Sequence, residues 1–429
     1  MTGKTDTRRT LADWLAWQQS LHPRPIDLGL ARVRQVFARL QPGYRPPLTL
    51  TVGGTNGKGS CIALLDAVLR AQGLRVGAYT SPHLLRYNER IRIDGREAGD
   101  GDICEAFARI EAVRDGVSLS FFEFATLAAL DLFARAGVDV QLLEVGLGGR
   151  LDAVNLIDAD AVLVTSIDID HKEWLGEDRD SIGREKAGIL RAGRPAVVGD
   201  RDPPRSLVLR ARELGARLHC LGRDFDHRRQ TDGWCWQGWD GELDGLPLPA
   251  LPGRQQLDNA AAVIAVLRCL APRLAVSTAA LHQGLATVRL PGRYQLLPGT
   301  PERLLDVAHN PQAAALLAEH LRRNWPGRRV LALFTAMADK DIEGMLTRMG
   351  EVVDVWALAP LAGNPRAASS ERLLTAFERA GLPRPLHGFS TVAAALDALE
   401  SMAGAEDLIV VFGSFFLVAE LLAGDGSAA

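Results

Sequence analysis

Leu48-Thr49-Leu50-Thr51-Val52-Gly53-Gly54-Thr55-Asn56-Gly57-Lys58-Gly59-Ser60 (residues 48–60) is the stretch on which the reading of the fold turns. Leu48–Val52 reads as a buried strand, apolar and β-branched, ended by glycines. From Ser60 to Gln72 the apolar residues Ile62, Leu64, Leu65, Val68 and Leu69 fall on one helical face, and Gly73 offers a C-cap. A strand, a glycine turn, a lysine and a helix form a layout that holds phosphates. Glycines let backbone N–H groups approach the oxygens, the helix N-terminus favours anions, and lysine adds a point charge. The common spacing G-x-x-x-x-G-K-[ST] is not met. Only three residues separate Gly53 from Gly57, and the hydroxyl of Ser60 comes one residue late, after Gly59. A glycine-rich turn with one lysine is often only a turn; its place between a good strand and a good helix favours nucleotide binding.

Outward from this loop, short apolar runs alternate with helical patterns. Val76–Thr80, Val140–Val145, Ala161–Ser166 and Ala196–Gly199 read as strands, with helices such as Phe124–Ala136 between them. Alternation of this kind predicts a mostly parallel sheet with helices on both faces. Between Arg223 and Leu251, three tryptophans and the run Leu246-Pro247-Leu248-Pro249 suggest a small antiparallel excursion or a long loop. Helical patterning resumes at Asn259–Leu270. A turn-rich segment from Leu290 to Gly299 precedes a second α/β series, with strands expected at Arg303–Val307, Val330–Phe334, Val353–Leu358 and Leu408–Phe412. The domain boundary is placed near residue 298, giving domains 1–297 and 298–429.

A chain of 429 residues fits two domains. The apolar fraction of 47% and charged fraction of 24% are those of a globular protein. A net charge of −3 without a basic block leaves no electrostatic footprint for nucleic acid or for an anionic membrane surface. Five scattered cysteines without a C-x-x-C pair argue against a disulfide framework or structural zinc and fit a reducing cytoplasm. Arg8 and Arg9 raise the thought of a twin-arginine signal, but Leu11-Ala12-Asp13-Trp14-Leu15 is amphipathic, and export is not expected. No apolar run approaches the ~18 residues of a membrane span.

Several polar residues stand at strand ends, where open α/β sheets bind ligands. Ser81-Pro82-His83 follows the second strand; by itself this pattern is more often a turn that closes a strand. Glu144 ends the apolar run Val140–Val145 and suits a Mg²⁺ ligand, or a capping carboxylate. His171, after Thr165–Asp170, reads equally as a metal ligand and as a surface or capping histidine. Lys186 carries no role on these grounds and would by default be an exposed helix lysine.

Taken together and in order, GTNGKGS (54–60), SPHLLRYNERIRI (81–93), EVGLGGRLDAVN (144–155), DHKEWLG (170–176), SIGREKAGI (181–189), LPGRYQ (290–295) and DVAHNP (306–311) resemble the folylpolyglutamate synthase family of the Mur ligase superfamily. Asp27-Leu28-Gly29-Leu30 looks like the pterin-side motif of the family's bacterial bifunctional members. The resemblance runs from about residue 13 to 420 without large gaps. It implies an α/β fold: a P-loop-type mostly parallel sheet domain followed by a smaller Rossmann-like α/β domain.

The resemblance also implies site residues. Thr55, Asn56, Gly57, Lys58, Gly59 and Ser60 would cradle the ATP phosphates, and Asn259, Arg293 and Asp306 match further nucleotide-contacting positions. Ser81, Glu144 and His171 would hold Mg²⁺. Lys186 matches a lysine that the family carbamylates, so that its anion ligates a second Mg²⁺. Lys58, Lys186 and His171 are thereby the implied catalytic set. Asp27, Leu28 and Gly29, then Ser120, Phe121, Phe122 and Glu123, and finally Leu151, Asp152 and Ala153, correspond to pteroate-contacting stretches. DVAHNP lies beside these positions but is also the pattern of a strand-to-helix turn capped by Asn310 or His309. The chain departs from enterobacterial members at Phe416, where G-S-F-H has histidine, and at Ala338, where H-D-K-D has histidine. Ser60 replaces a threonine and keeps the hydroxyl.

The implied reaction is amide ligation in folate biosynthesis and one-carbon metabolism. ATP activates a carboxylate as an acyl phosphate, and the amine of L-glutamate attacks it. The carboxylate belongs to dihydropteroate or to a reduced folate. A monofunctional folylpolyglutamate synthase and a cell-wall Mur ligase are the alternatives among ligases; a P-loop NTPase acting as a switch is the alternative of another class. A monomer is the family expectation.

Overall fold

The computed structural model of the chain describes residues 9–24 and 26–424; Arg8 of the dipeptide considered above lies outside them. Its strands, in chain order, are β1 (Leu48–Gly53), β2 (Val76–Tyr79), β3 (Ile91–Ile93), β4 (Arg96–Glu97), β5 (Val140–Glu144), β6 (Ala161–Val164), β7 (Pro195–Val198) and β8 (Arg217–Cys220). These eight form one sheet in the order β4-β3-β2-β5-β1-β6-β7-β8. From β2 to β8 every pairing is parallel, and β3 and β4 add an antiparallel edge. Strands buried on both faces read as continuous apolar runs, and β5 and β6 are buried at every position. The expected alternation is therefore realised.

Two of the helices over this sheet show how local sequence sets them. The helix Phe121–Ala136 opens on a capping box: Ser120 Oγ accepts from Glu123 N, while the Glu123 carboxylate takes Ser120 N. A cap of this kind stabilises a helix by about 1 kcal/mol. Gly137, left-handed at φ 62°, ends the helix. The helix Lys58–Ala71 starts from Gly57 at φ 91° and ends before Gly73 at φ 88°.

The tryptophan-rich stretch forms an antiparallel three-stranded sheet, β9 (Phe225–Gln230), β10 (Gly233–Gly238) and β11 (Gly241–Leu246), with Trp234 and Trp236 fully buried. The remaining strands are β12 (Gln295–Leu297), β13 (Glu302–Leu305), β14 (Val330–Phe334), β15 (Val355–Leu358) and β16 (Leu408–Phe412), ordered β12-β13-β16-β14-β15. All pair in parallel except the β12–β13 hairpin.

The chain divides into two compact units. One comprises residues up to Ile169, Trp174–Pro249 and Asp258–Val288; the other comprises Asp170–Glu173, Ala250–Leu257 and the chain from Arg289. The turn Pro298-Gly299, where the sequence suggested a boundary, lies inside the β12–β13 hairpin. A proline–glycine turn marks a reversal of direction equally well as a link, which is why the two are not told apart by composition. Among the described residues no helix is long and apolar enough to cross a membrane.

Candidate active site

In the first unit, β1 delivers the chain into Gly54 at φ 143° and Gly57 at φ 91°. Neither glycine has room for a side chain. A Cβ on Gly54 would lie 1.8 Å from Thr165 Oγ1, and one on Gly57 would lie 2.8 Å from Asn259 Oδ1. The loop is anchored from below by Thr55, whose N–H donates to Ser166 O at 2.7 Å and whose hydroxyl donates to Asp168 O at 3.0 Å. Lys58 Nζ folds back onto the carbonyls of Gly54 and Thr55 at 3.2 and 3.1 Å. The helix Lys58–Ala71 therefore begins at a tightly held turn, where the first N–H groups of a helix favour anions, with an ammonium beside it.

A second ammonium reaches the same loop. Lys186, on the helix Arg179–Lys186, is only 3% exposed and donates to Gly54 O at 2.8 Å. The reading from spacing alone, an exposed helix lysine, is corrected: the side chain points into the sheet end because Gly149 lets the loop after β5 sit close to this helix. A Cβ at Gly149 would lie 3.0 Å from Glu185 O, and Arg150 N donates to that carbonyl at 2.9 Å.

At the end of β5, Glu144 is 4% exposed and accepts from Ser81 N at 3.2 Å. Glu144 pairs in register with Val52 of β1, one residue short of the phosphate-type loop. Ser81, Glu144, Lys58 and Lys186 thus converge on neighbouring strand ends of one sheet. A hydroxyl and a buried carboxylate beside N–H donors form an oxygen-rich set that fits a hard divalent cation with a nucleotide.

The stretches matched to pteroate contacts also come together. Arg32 Nη1 donates to Asp27 Oδ2 at 2.6 Å and Nη2 to Glu123 Oε1 at 3.2 Å, so one guanidinium ties Asp27 to the capping box of Ser120. His22 bridges Ser118 Oγ at 2.7 Å and Asp27 Oδ2 at 3.0 Å. Phe121 packs edge-on to Tyr87 and Phe122 lies against Tyr79. Asp152 is buried and caps the turn Ala153–Leu156, taking Leu147 N and Val154 N at 2.8 and 3.0 Å. Burial pushes its carboxyl up to about 6 against those N–H donors. Leu28, Gly29 and Leu151 are partly buried. Arg32 and His22 escaped the sequence reading because a lone arginine on a helix and a lone histidine before a turn carry no pattern.

In the second unit, Asp306 is buried after β13 and takes Tyr294 N at 3.0 Å and Ala308 N at 2.8 Å. Burial raises its carboxyl from the usual range, while Arg293 and these amides oppose that. Arg293 lies over the Phe415 ring at 5.2 Å. Asn310 caps the helix Pro311–Asn324, so the strand-to-helix turn read in DVAHNP is present, with Asn310 as its cap. His171, left-handed at φ 53°, belongs to this unit with Asp170. Lys340, 8% exposed, donates to Asp170 Oδ1 at 2.6 Å, and Nε2 of His171 lies 3.4 Å from the same ammonium. Burial pushes the Asp170 carboxyl up, but His309, His171 and Lys340 outweigh it and hold it well below the usual range. Burial lowers the His171 imidazole to about 4. The Asp170–Lys340 pair was invisible in the sequence, where the two residues lie far apart.

Residues 292–415 match the family model described as Mur ligase, glutamate ligase domain. The chain is 45% identical over 412 residues to the dihydrofolate synthase/folylpolyglutamate synthase of Escherichia coli (strain K12), covering 96% of this chain and 94% of that one. A solved structure of E. coli FolC in complex with DHPP and ADP superposes with a TM-score of 0.91 at 44% identity, covering 98% of each chain. A crystal structure of a bifunctional folylpolyglutamate synthase/dihydrofolate synthase with Mn, AMPPNP and L-glutamate bound gives a TM-score of 0.90 at 46% identity over 97% of this chain and 98% of that one. Similarity at this level along nearly the whole length settles the family: the chain belongs to the dihydrofolate synthase/folylpolyglutamate synthase family.

Proposed function

We propose that Lys58, Lys186, Glu144 and Ser81, gathered at the strand ends around Gly54, form the phosphate and metal site of an ATP-dependent ligase that joins L-glutamate to dihydropteroate and to reduced folates. The observation that carries this reading is the buried Lys186 ammonium on the Gly54 carbonyl. A lysine held there serves the nucleotide loop and has no structural alternative as a solvated side chain.

In this reading Thr55–Ser60 hold the ATP phosphates through backbone N–H groups, and Lys58 offsets their charge. Asn259, in contact with Gly57, fixes the loop from one side. Arg293 and Asp306 are taken as nucleotide-contacting residues, and residues 292–415 carry the glutamate ligase role. Ser81 and Glu144 would hold one Mg²⁺ and the carbamate of Lys186 a second; bound Mg²⁺ would supply positive charge that offsets the phosphoryl oxygens. Asp27, Leu28 and Gly29, with Ser120–Glu123 and Leu151–Ala153, receive the pteroate. ATP phosphorylates the substrate carboxylate, and the glutamate amine then displaces phosphate. No side-chain nucleophile is required. The chain acts as a cytoplasmic monomer without nucleic-acid or membrane partners.

ADP release separates this reading from its rivals. It is expected to be stimulated by dihydropteroate with L-glutamate and by a reduced folate with L-glutamate. Stimulation by the folate pair alone makes the enzyme monofunctional, stimulation by a UDP-muramyl substrate makes it a cell-wall ligase, and indifference to all of them makes it a switch NTPase.

A further inference from the structure

Arg90 is a buried cation without an acidic counterpart. It lies just ahead of β3 at the sheet edge, is 8% exposed, and, among the described residues, forms no ion pair with an Asp or Glu side chain. Its Nε–H donates to His83 Nδ1 at 2.8 Å; a ring nitrogen that accepts carries no proton, so His83 supplies no charge of either sign through that contact. The adjacent carboxylate is committed elsewhere. Glu89 accepts from the backbone N–H groups of Leu84, Leu85 and Arg86 at 2.7, 2.6 and 2.6 Å, holding the turn that follows Ser81. A desolvated guanidinium with no opposite charge is costly unless an anion arrives to complete it.

Its surroundings say which anion. The guanidinium carbon lies 5.6 Å from the Tyr87 ring centroid and 5.5 Å from that of Phe121, and these two rings meet edge-on at 5.7 Å. Phe121 belongs to the stretch proposed above to receive the pteroate. The backbone carbonyl of Arg90 accepts from Thr80 N at 2.9 Å, next to Ser81, whose own N–H rests on Glu144. The guanidinium therefore lies against two aromatic rings, one of them in the proposed pteroate stretch, while the backbone of the same residue adjoins the strand ends that hold the proposed phosphate site. A planar fork matches a carboxylate through paired hydrogen bonds.

Resting on the function proposed above, we infer that Arg90 receives the reacting carboxylate of the pteroate substrate. One carboxylate oxygen attacks the γ-phosphorus as ADP leaves; the other stays against the guanidinium. Attack by the glutamate amine forms the C–N bond and places negative charge on the held oxygen. That charge returns as the C–O bond to phosphate breaks and the amine proton is released. Arg90 exchanges no proton in this sequence and serves as a fixed positive charge.

The test compares two ligands by titration calorimetry on the full chain: dihydropteroate and its decarboxylated anilinomethyl analogue. Wild type is expected to bind the carboxylate ligand roughly 10- to 100-fold more tightly. Arg90→Gln is expected to remove that gap by weakening dihydropteroate alone, and Arg90→Lys, which keeps the charge without the fork, to preserve part of it. ADP titration identifies folded variants, and if Arg90→Gln fails it, Arg90→Lys decides. A gap unchanged in the folded variant, equal weakening of both ligands, or no gap in wild type overturns the assignment. Failure of the wild type to form any product from dihydropteroate, ATP and L-glutamate would instead overturn the function on which the inference rests.

Discussion

The ammonium of Lys186 donates to the carbonyl of Gly54 at 2.8 Å across a separation of 132 residues, joining the helix Arg179–Lys186 to the loop after β1. A lysine nitrogen buried at that point lies at the phosphate loop, where its carbamate would present an anion to Mg²⁺. Removing it, as in Lys186→Ala, is expected to lower kcat by about 10²–10³-fold. Short carboxylic acids should restore part of the rate by replacing the carbamate. An undiminished rate for the variant would remove Lys186 from the machinery.

The loop glycines are constrained sterically as well as chemically. Gly54→Ala places a methyl 1.8 Å from Thr165 Oγ1 at a φ of 143° that alanine rarely adopts. Overpacking of this kind costs about 1–3 kcal/mol, and ATP affinity should fall with it. Thermal unfolding with and without nucleotide measures both effects.

Arg32 holds Asp27 and Glu123 on one guanidinium. Arg32→Ala frees both carboxylates and is expected to raise the KM for dihydropteroate about tenfold or more, as loss of a charge-assisted hydrogen bond does. The KM for ATP should stay within about twofold, since additivity holds for distant sites. Steady-state kinetics with each substrate varied in turn reads the split.

His320 supplies a pH dependence. Its ring stacks on Tyr294 at 4.2 Å with an interplanar angle of 5°, and its Nδ1 lies 3.1 Å from Asn324 Nδ2 as an acceptor. Burial, and next Arg323, lower its basicity. A histidine whose folded value is depressed contributes stability that is full above its ordinary value of about 6.5 and lost as pH falls through the folded value. Protection of the helix Pro311–Asn324 against amide exchange, taken relative to the intrinsic rate at each pH, should therefore fall below that pH, and His320→Gln should flatten the dependence.

Much of this architecture was legible in sequence. Leu48–Val52, Val330–Phe334 and Leu408–Phe412 announced themselves as strands because parallel strands are buried on both faces and spell continuous apolar runs. The edge strands β3, β4 and β12 were not legible, being two or three residues long with charged or polar members. Lys186 was misread by periodicity, since a lysine on a polar helix looks solvated until the loop it meets is known. Arg32, Arg90 and the Asp170–Lys340 pair were missed for a related reason: their partners are set by packing, not by spacing along the chain.

Chelation is expected to abolish turnover and Mg²⁺ or Mn²⁺ to restore it, with Glu144→Gln demanding at least about tenfold more metal. The most direct test of the central claim is the mass of the product formed from dihydropteroate, ATP and L-glutamate. The expected product is dihydropteroate plus one glutamyl residue, with one ADP released for each, and further glutamyl additions when a reduced folate is supplied. Unmodified dihydropteroate and folate after ATP has been consumed would contradict it.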